Sequence, residues 1–159
     1  MYRGLALLAA FCAIAALPMQ ARAQSVTLRF QIIEADGFTE TDPAIADVRE
    51  ALRELFRFRG YRLATETMIR VHDGRFSQHF PTAGEVQYSI AAQHVALAGE
   101  AVGAQNVQIR ELSLYAGGDD QILATSLTVP VGQTVVVGAT RMRKANAPVL
   151  ILVVRPDLR

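Results

Sequence analysis

From Val26 the chain alternates in character. Val26, Leu28, Phe30 and Ile32 are apolar, while Thr27, Arg29 and Gln31 between them are polar. A period of two predicts a strand over Ser25–Ile33 with one buried face. The polar stretch Glu34–Asp42 reads as a loop, and Asp42 followed by Pro43 reads as a helix start. The carboxylate accepts from free amides of the first turn, and proline suits the first helical position. The period then changes. Ile45, Val48, Leu52 and Leu55 recur at spacings of three, four and three, which puts one apolar stripe on a helix from Pro43 to Phe58. Asp47, Arg49, Glu50, Arg53, Glu54 and Arg57 fill the rest of its surface, and Gly60 is read as its stop.

After Gly60 the period returns to two. Tyr61, Leu63, Thr65, Thr67, Ile69 and Val71 are set against Arg62, Ala64, Glu66, Met68 and Arg70, as one strand or as a hairpin turning near Thr65. Pro81 argues against a central strand over Arg75–Gly84. Val86, Tyr88, Ile90 and Ala92 alternate again, although the alanines of residues 91–104 leave strand and helix both open across 85–104. Val107 and Ile109, then Leu112 and Leu114, change parity midway, which predicts a bulge. Gly117–Asp120 is a turn, Ile122–Val129 a strand, Pro130–Gln133 a turn, and Thr134–Val137 and Val149–Val154 are strands. The order of a strand, one helix and then a run of strands predicts an α+β fold, a mostly antiparallel sheet with an N-terminal helix packed on it. Gln24–Arg159 reads as a single domain, with a subdivision near residues 75–85 as the alternative.

Composition changes the picture mainly at the start. Met1-Tyr2-Arg3 is a positive n-region, Leu5–Leu17 an uncharged apolar run ending at Pro18, and Ala21-Arg22-Ala23 a small-residue cleavage site. Residues 1–23 therefore read as a signal peptide removed before Gln24. The run is shorter than the roughly 20 residues a membrane span needs. Phe11 before Cys12 does not suit lipidation. Processing removes Arg3, Arg22 and Cys12, so the formal charge of +1 falls to about −1 and no cysteine remains. That charge balance offers no concentrated basic face for nucleic acid. An exported, disulfide-free protein of the periplasm or outer membrane is the expectation.

The segment Leu127-Thr-Val-Pro-Val-Gly-Gln-Thr-Val-Val-Val-Gly138, with the later apolar strand Val149–Val154 and Arg155-Pro156, resembles part of the secretin family of outer-membrane pores. The helix after Pro43 and the strands behind it are loosely similar to the β-α-β-β periplasmic modules of those proteins. Ala139 stands where a second glycine is usual, and a short basic connection, Ala139–Pro148, replaces a Pro- and Gly-rich segment. The resemblance implies an accessory relative of a secretion or pilus system, without the pore-forming part.

The chemistry-bearing residues are dispersed. His72, His79 and His94 lie seven and fifteen positions apart, which is unlike zinc-ligand spacing. Glu34, Asp36, Glu40 and Asp42 crowd one loop, read as solvated, without the alternate spacing of a calcium loop. The serines sit in no nucleophile-elbow context. Arg49, Arg53 and Arg57 align along the helix and read as a solvated face. No cofactor or metal is expected. The expected function is a non-catalytic envelope binding or assembly module with a protein partner. Arg141, Arg143 and Lys144 are the contact candidates, Gly132, Gln133 and Thr134 shape a turn, and Asp42 is the helix cap. A small periplasmic hydrolase with a dispersed site and a self-associating structural protein are the alternatives.

Overall fold

The alternation that starts at Val26 becomes β1 (Val26–Ala35), an inner strand with antiparallel neighbours on both sides. A computed structural model describes residues 25–71, 74–82, 84–99, 105–142 and 146–158. The proposed signal peptide, His72, Arg143 and Lys144 lie outside them. A first sheet runs β2 (Tyr61–Val71), β1, β9 (Val149–Leu158), β8 (Val135–Arg141). A second sheet is built around β6 (Asn106–Ala116). One side of β6 pairs with β4 (Tyr88–Ala92) and then β5 (His94–Ala98), and the other side with β7 (Asp120–Pro130). The edge strand β3 (Phe76–His79) pairs with β4 and ends before Pro81.

Every strand pairing in both sheets is antiparallel. The sheets stack through one apolar cluster. Leu28, Phe30, Ile32, Leu150, Leu152 and Val154 of the first sheet meet Tyr88, Ile90, Val107, Ile109, Leu112 and Leu114 of the second. Phe30 and Phe76 touch across the gap, with ring centres 5.7 Å apart, and the Thr65 hydroxyl donates to the Pro81 carbonyl at 2.9 Å.

The helical segment lies on the other face of the first sheet. Asp42 caps a 3-10 turn, Pro43–Ile45, by accepting from the Ala44 amide at 2.9 Å. The helix proper, α1, covers only Arg49–Leu55. Seven residues are too few for a helix to hold by itself in water, so packing supplies its stability. Ile45, Val48 and Leu52 are buried against Ile33, Ala35, Tyr61, Ile151 and Val153. The fold is therefore a two-sheet sandwich carrying a short helix on one outer face. Strand makes up 62% of the described residues, so the helix is an attachment and not a layer of equal weight.

Several expectations change. The helix follows β1 and does not open the domain, and it stops at Leu55 instead of Phe58, because Phe56 is already extended. Its last carbonyls are met by Tyr61, whose hydroxyl donates to Leu52 O at 3.1 Å and Phe56 O at 3.2 Å. Leu55, read as part of the stripe, is exposed, and Arg57 falls beyond the helix. Gly60 is no helix cap. A Cβ there would stand 2.2 Å from the Glu40 carbonyl oxygen, so glycine is required by close backbone approach.

Tyr61–Val71 is one strand, with no turn at Thr65. Its register against β1 slips between Ile32 and Ile33, leaving Ala64 as the extra residue. That bulge turns Tyr61 and Leu63 toward the helix layer while Ile69 and Val71 face the second sheet. The bulge predicted in β6 is present. Pairing with β7 shifts between Ile109 and Leu112, and Glu111 takes a positive φ of 51°. Residues 88–92 and 94–98 are strands with a bend at Gln93 between them, settling that part of the alternative left open across 85–104.

Candidate interaction surface

Two of the four sheet edges lie together. β7 closes one side of the second sheet, β8 closes one side of the first, and a short turn joins them. This turn holds the Gly132-Gln133-Thr134 segment. The Gln133 amide donates to the Pro130 carbonyl at 3.2 Å, and Gly132 has a φ of 79°, the positive value such a turn requires at its third position. The two strands it joins are not a hairpin. β7 pairs with β6 and β8 with β9, so the turn carries the chain from one sheet to the other. The Gly132 amide donates to Pro156 O at 2.7 Å and the Val131 amide to Gln105 O at 2.9 Å, which fixes the crossing to both sheets. Gly138 lets the edges approach, since a Cβ there would come 3.1 Å from Leu123 Cδ1.

From Gln121 to Thr140 there is no Asp, Glu, Lys, Arg or His. That run covers nearly all of β7 and β8 and is bounded by Asp120 and Arg141. Leu123, Leu127, Val135 and Val137 turn inward against the core, while Ala124, Thr128 and Ala139 are exposed. Neither strand has a second pairing partner among the described residues. Edge strands are ordinarily blunted by charge, by proline or by cover. The opposite edge of the first sheet has such protection. β2 carries Arg62, Glu66 and Arg70, and its first residue is bonded to Glu40 and Asp42. The two edges of the first sheet are thus chemically unlike.

The remaining sequence candidates divide. Arg141, at the end of β8, donates to the Asp36 carboxylate and, at 3.2 Å, to the Ala147 carbonyl. It ties the β8–β9 connection to the end of β1. The acidic loop is not simply solvated: Glu34 pairs with Arg62 at 2.5 Å, Asp36 with Arg141, and Asp42 caps. His79 and His94 are both exposed. Among the described residues no three His, Cys, Asp or Glu side chains gather to hold a metal ion. No helix among them is long and apolar enough to cross a membrane.

On the face of the first sheet left open beyond the helix, Arg29 donates to Glu66 from Nη2 at 2.8 Å and Nε at 3.2 Å, and Gln31 adds a third bond at 3.3 Å. Hydrogen bonding from Arg29 holds the Glu66 carboxyl below its ordinary value. Sequence reasoning missed this cluster because the residues are 35 or more positions apart. It also missed the uncharged flank, although the charge-free run is legible once residues 121–140 are scanned for it. Comparison of the chain with protein-family models, with curated proteins and with solved structures found no match.

Proposed function

We propose that this chain is a non-catalytic binding module of the cell envelope that takes up an extended strand from a protein partner along its β7–β8 flank. The observation that carries this reading is the charge-free run Gln121–Thr140, which lies on two adjoining and otherwise unpaired sheet edges. Strand addition draws its affinity from main-chain hydrogen bonds, and an unprotected edge offers them. Export follows from the signal-like residues 1–23, and a secretion or pilus assembly is the partner class implied by the secretin-like segment, part of which lies on this flank.

Crosslinking in intact cells with recovery of the mature protein tests the proposal. The native chain is expected to bring down secretion, pilus or outer-membrane assembly components. A double variant, Ala124→Lys with Ala139→Lys, places one charge on each edge at exposed positions and is expected to lose them with folding intact. Undiminished recovery by the lysine variant would sink the edge-pairing mechanism.

A second reading, self-association, is favoured by the difference between the charged β2 edge and the uncharged β8 edge of the first sheet. A polymer needs two complementary surfaces, whereas an uncharged flank pairing with itself closes a two-fold dimer. A dimer in sedimentation that the same lysine pair dissolves would support it.

A further inference from the structure

A cleft of about 560 Å³ opens at one end of the sandwich, between the start of β2, the segment leading into β4, and the β8–β9 connection. Its volume falls in the range of roughly 300–1,000 Å³ typical of small-ligand sites. Leu63, Ala64, Val86, Met142 and Pro148 supply apolar walls, while Glu34, Arg62, Glu85 and Tyr88 bring polar groups to the same space.

Two of those groups have unused bonding capacity. Tyr88 is only 3% exposed and lines the cleft, and its hydroxyl has no hydrogen-bond partner among the described residues. Glu34, whose side chain is 14% exposed, receives both Arg62 bonds on Oε2, at 3.1 and 2.5 Å. Its Oε1 has no donor among the described residues. Arg62 is occupied in turn, paired with Glu34 and seated 4.7 Å over the Phe38 ring. With Arg62 neutralised by Glu34, the negative charge of Glu85 remains uncompensated among the described lining residues.

We infer that this cleft binds a primary ammonium group carried on a short apolar chain, the ammonium donating to Glu34 Oε1 and the Tyr88 hydroxyl while the chain lies on Leu63, Val86 and Met142. An ammonium has three donors and no acceptor, which suits a carboxylate oxygen and a phenol lone pair. A carboxylate ligand would face Glu34 and Glu85 instead. Burial pushes the Tyr88 phenol up from 10.0, and the Glu34 carboxylate adds to the rise, so the hydroxyl stays neutral at physiological pH. The same chemistry arises from a free alkylamine and from a lysine side chain of a peptide.

Titrations of the mature protein with hexylamine, 1-hexanol and hexanoate, followed by NMR at Tyr88 and Val86, test the inference. Hexylamine is expected to give a saturable shift at least tenfold tighter than hexanoate, with hexanol between them. Tyr88→Phe keeps the ring and is expected to weaken hexylamine roughly three- to tenfold, the worth of one hydrogen bond. Glu34→Gln also frees Arg62 and is expected to abolish the preference for the ammonium, which gives a second readout if Tyr88→Phe fails to fold. N-acetyl-lysine methylamide binding more tightly than hexylamine would assign the site to a peptide lysine, and the reverse to a free amine. Absence of saturable hexylamine binding, hexanoate binding as tightly, or an ammonium preference unchanged in Glu34→Gln would overturn the assignment. None of these results depends on the β7–β8 flank.

Discussion

At the residue scale, individual side chains and backbone positions are held by contacts that make definite demands. Gly60 sits against the Glu40 backbone, which bonds the Tyr61 amide at 3.1 Å. A Cβ at 2.2 Å from a backbone oxygen forces the loop to move, because there is no flexible side chain to yield. Gly60→Ala is therefore expected to cost about 2 kcal/mol or more, as overpacking does, read from the midpoint of urea unfolding.

Glu66 makes a prediction about pH. Its folded carboxyl lies below the usual 4.5, first because Arg29 donates to it and then because Gln31 does, against an opposing push from burial. A lowered folded value means that the contribution is present above about pH 4.5 and is lost as pH falls through the folded value. The side chain is 40% exposed, so screening keeps the effect small. Glu66→Gln is expected to lower the melting temperature slightly above about pH 4.5 and to flatten the acid limb of the stability profile below it, measured by thermal melts.

At the element scale, the helix shows how periodicity can be right about a face and wrong about an extent. Ile45, Val48 and Leu52 carry the stripe, and all three are buried. Leu55 continues the spacing but is 62% exposed, because Phe56 leaves the helix and Phe58 and Tyr61 close the layer in its place. Leu52→Ala is expected to cost about 2–5 kcal/mol, whereas Leu55→Ala is expected to change stability by no more than about 0.5 kcal/mol. Denaturant unfolding of the two variants side by side checks the assignment. Equal costs would mean that the stripe extends as the spacing implied. The Ala64 bulge is the strand counterpart. Alternation alone puts Tyr61 and Val71 on one face, and a single inserted residue sends them to different cores.

At the scale of the whole molecule, the chain crosses from the first sheet to the second after Val71 and returns through the turn at Gly132. The first crossing lies near the place where two subdomains were the alternative. A shared apolar cluster, with Phe30 against Phe76 and Thr65 bonded to Pro81, predicts that the sheets unfold together. Side-chain resonances of Tyr61, in the helix layer, and Tyr88, in the second sheet, are expected to share one urea midpoint. Separate midpoints would divide the chain near residues 75–85.

The local code was legible where neighbours in sequence decide the outcome. The alternation of Val26–Ile32, the Asp42 cap, the parity change that marks the bulge at Glu111 and the glycine demanded by the turn at 132 all arise within a few residues. Hydrophobic period and turn stereochemistry are short-range properties, so one chain suffices to read them. Strand order, the second sheet, the early end of the helix and the meeting of Glu34, Arg62 and Tyr88 were decided only in the tertiary structure. Alternation states that a strand has an inner face, and says nothing about which strand lies beside it or which sheet receives that face. Pairings such as β1 with β9 join residues more than a hundred positions apart, and they are chosen by the packing of the whole core. The charge-free run from Gln121 to Thr140 stands between these cases: its composition is plain in the sequence, and only the two-sheet topology turns it into two adjoining open edges.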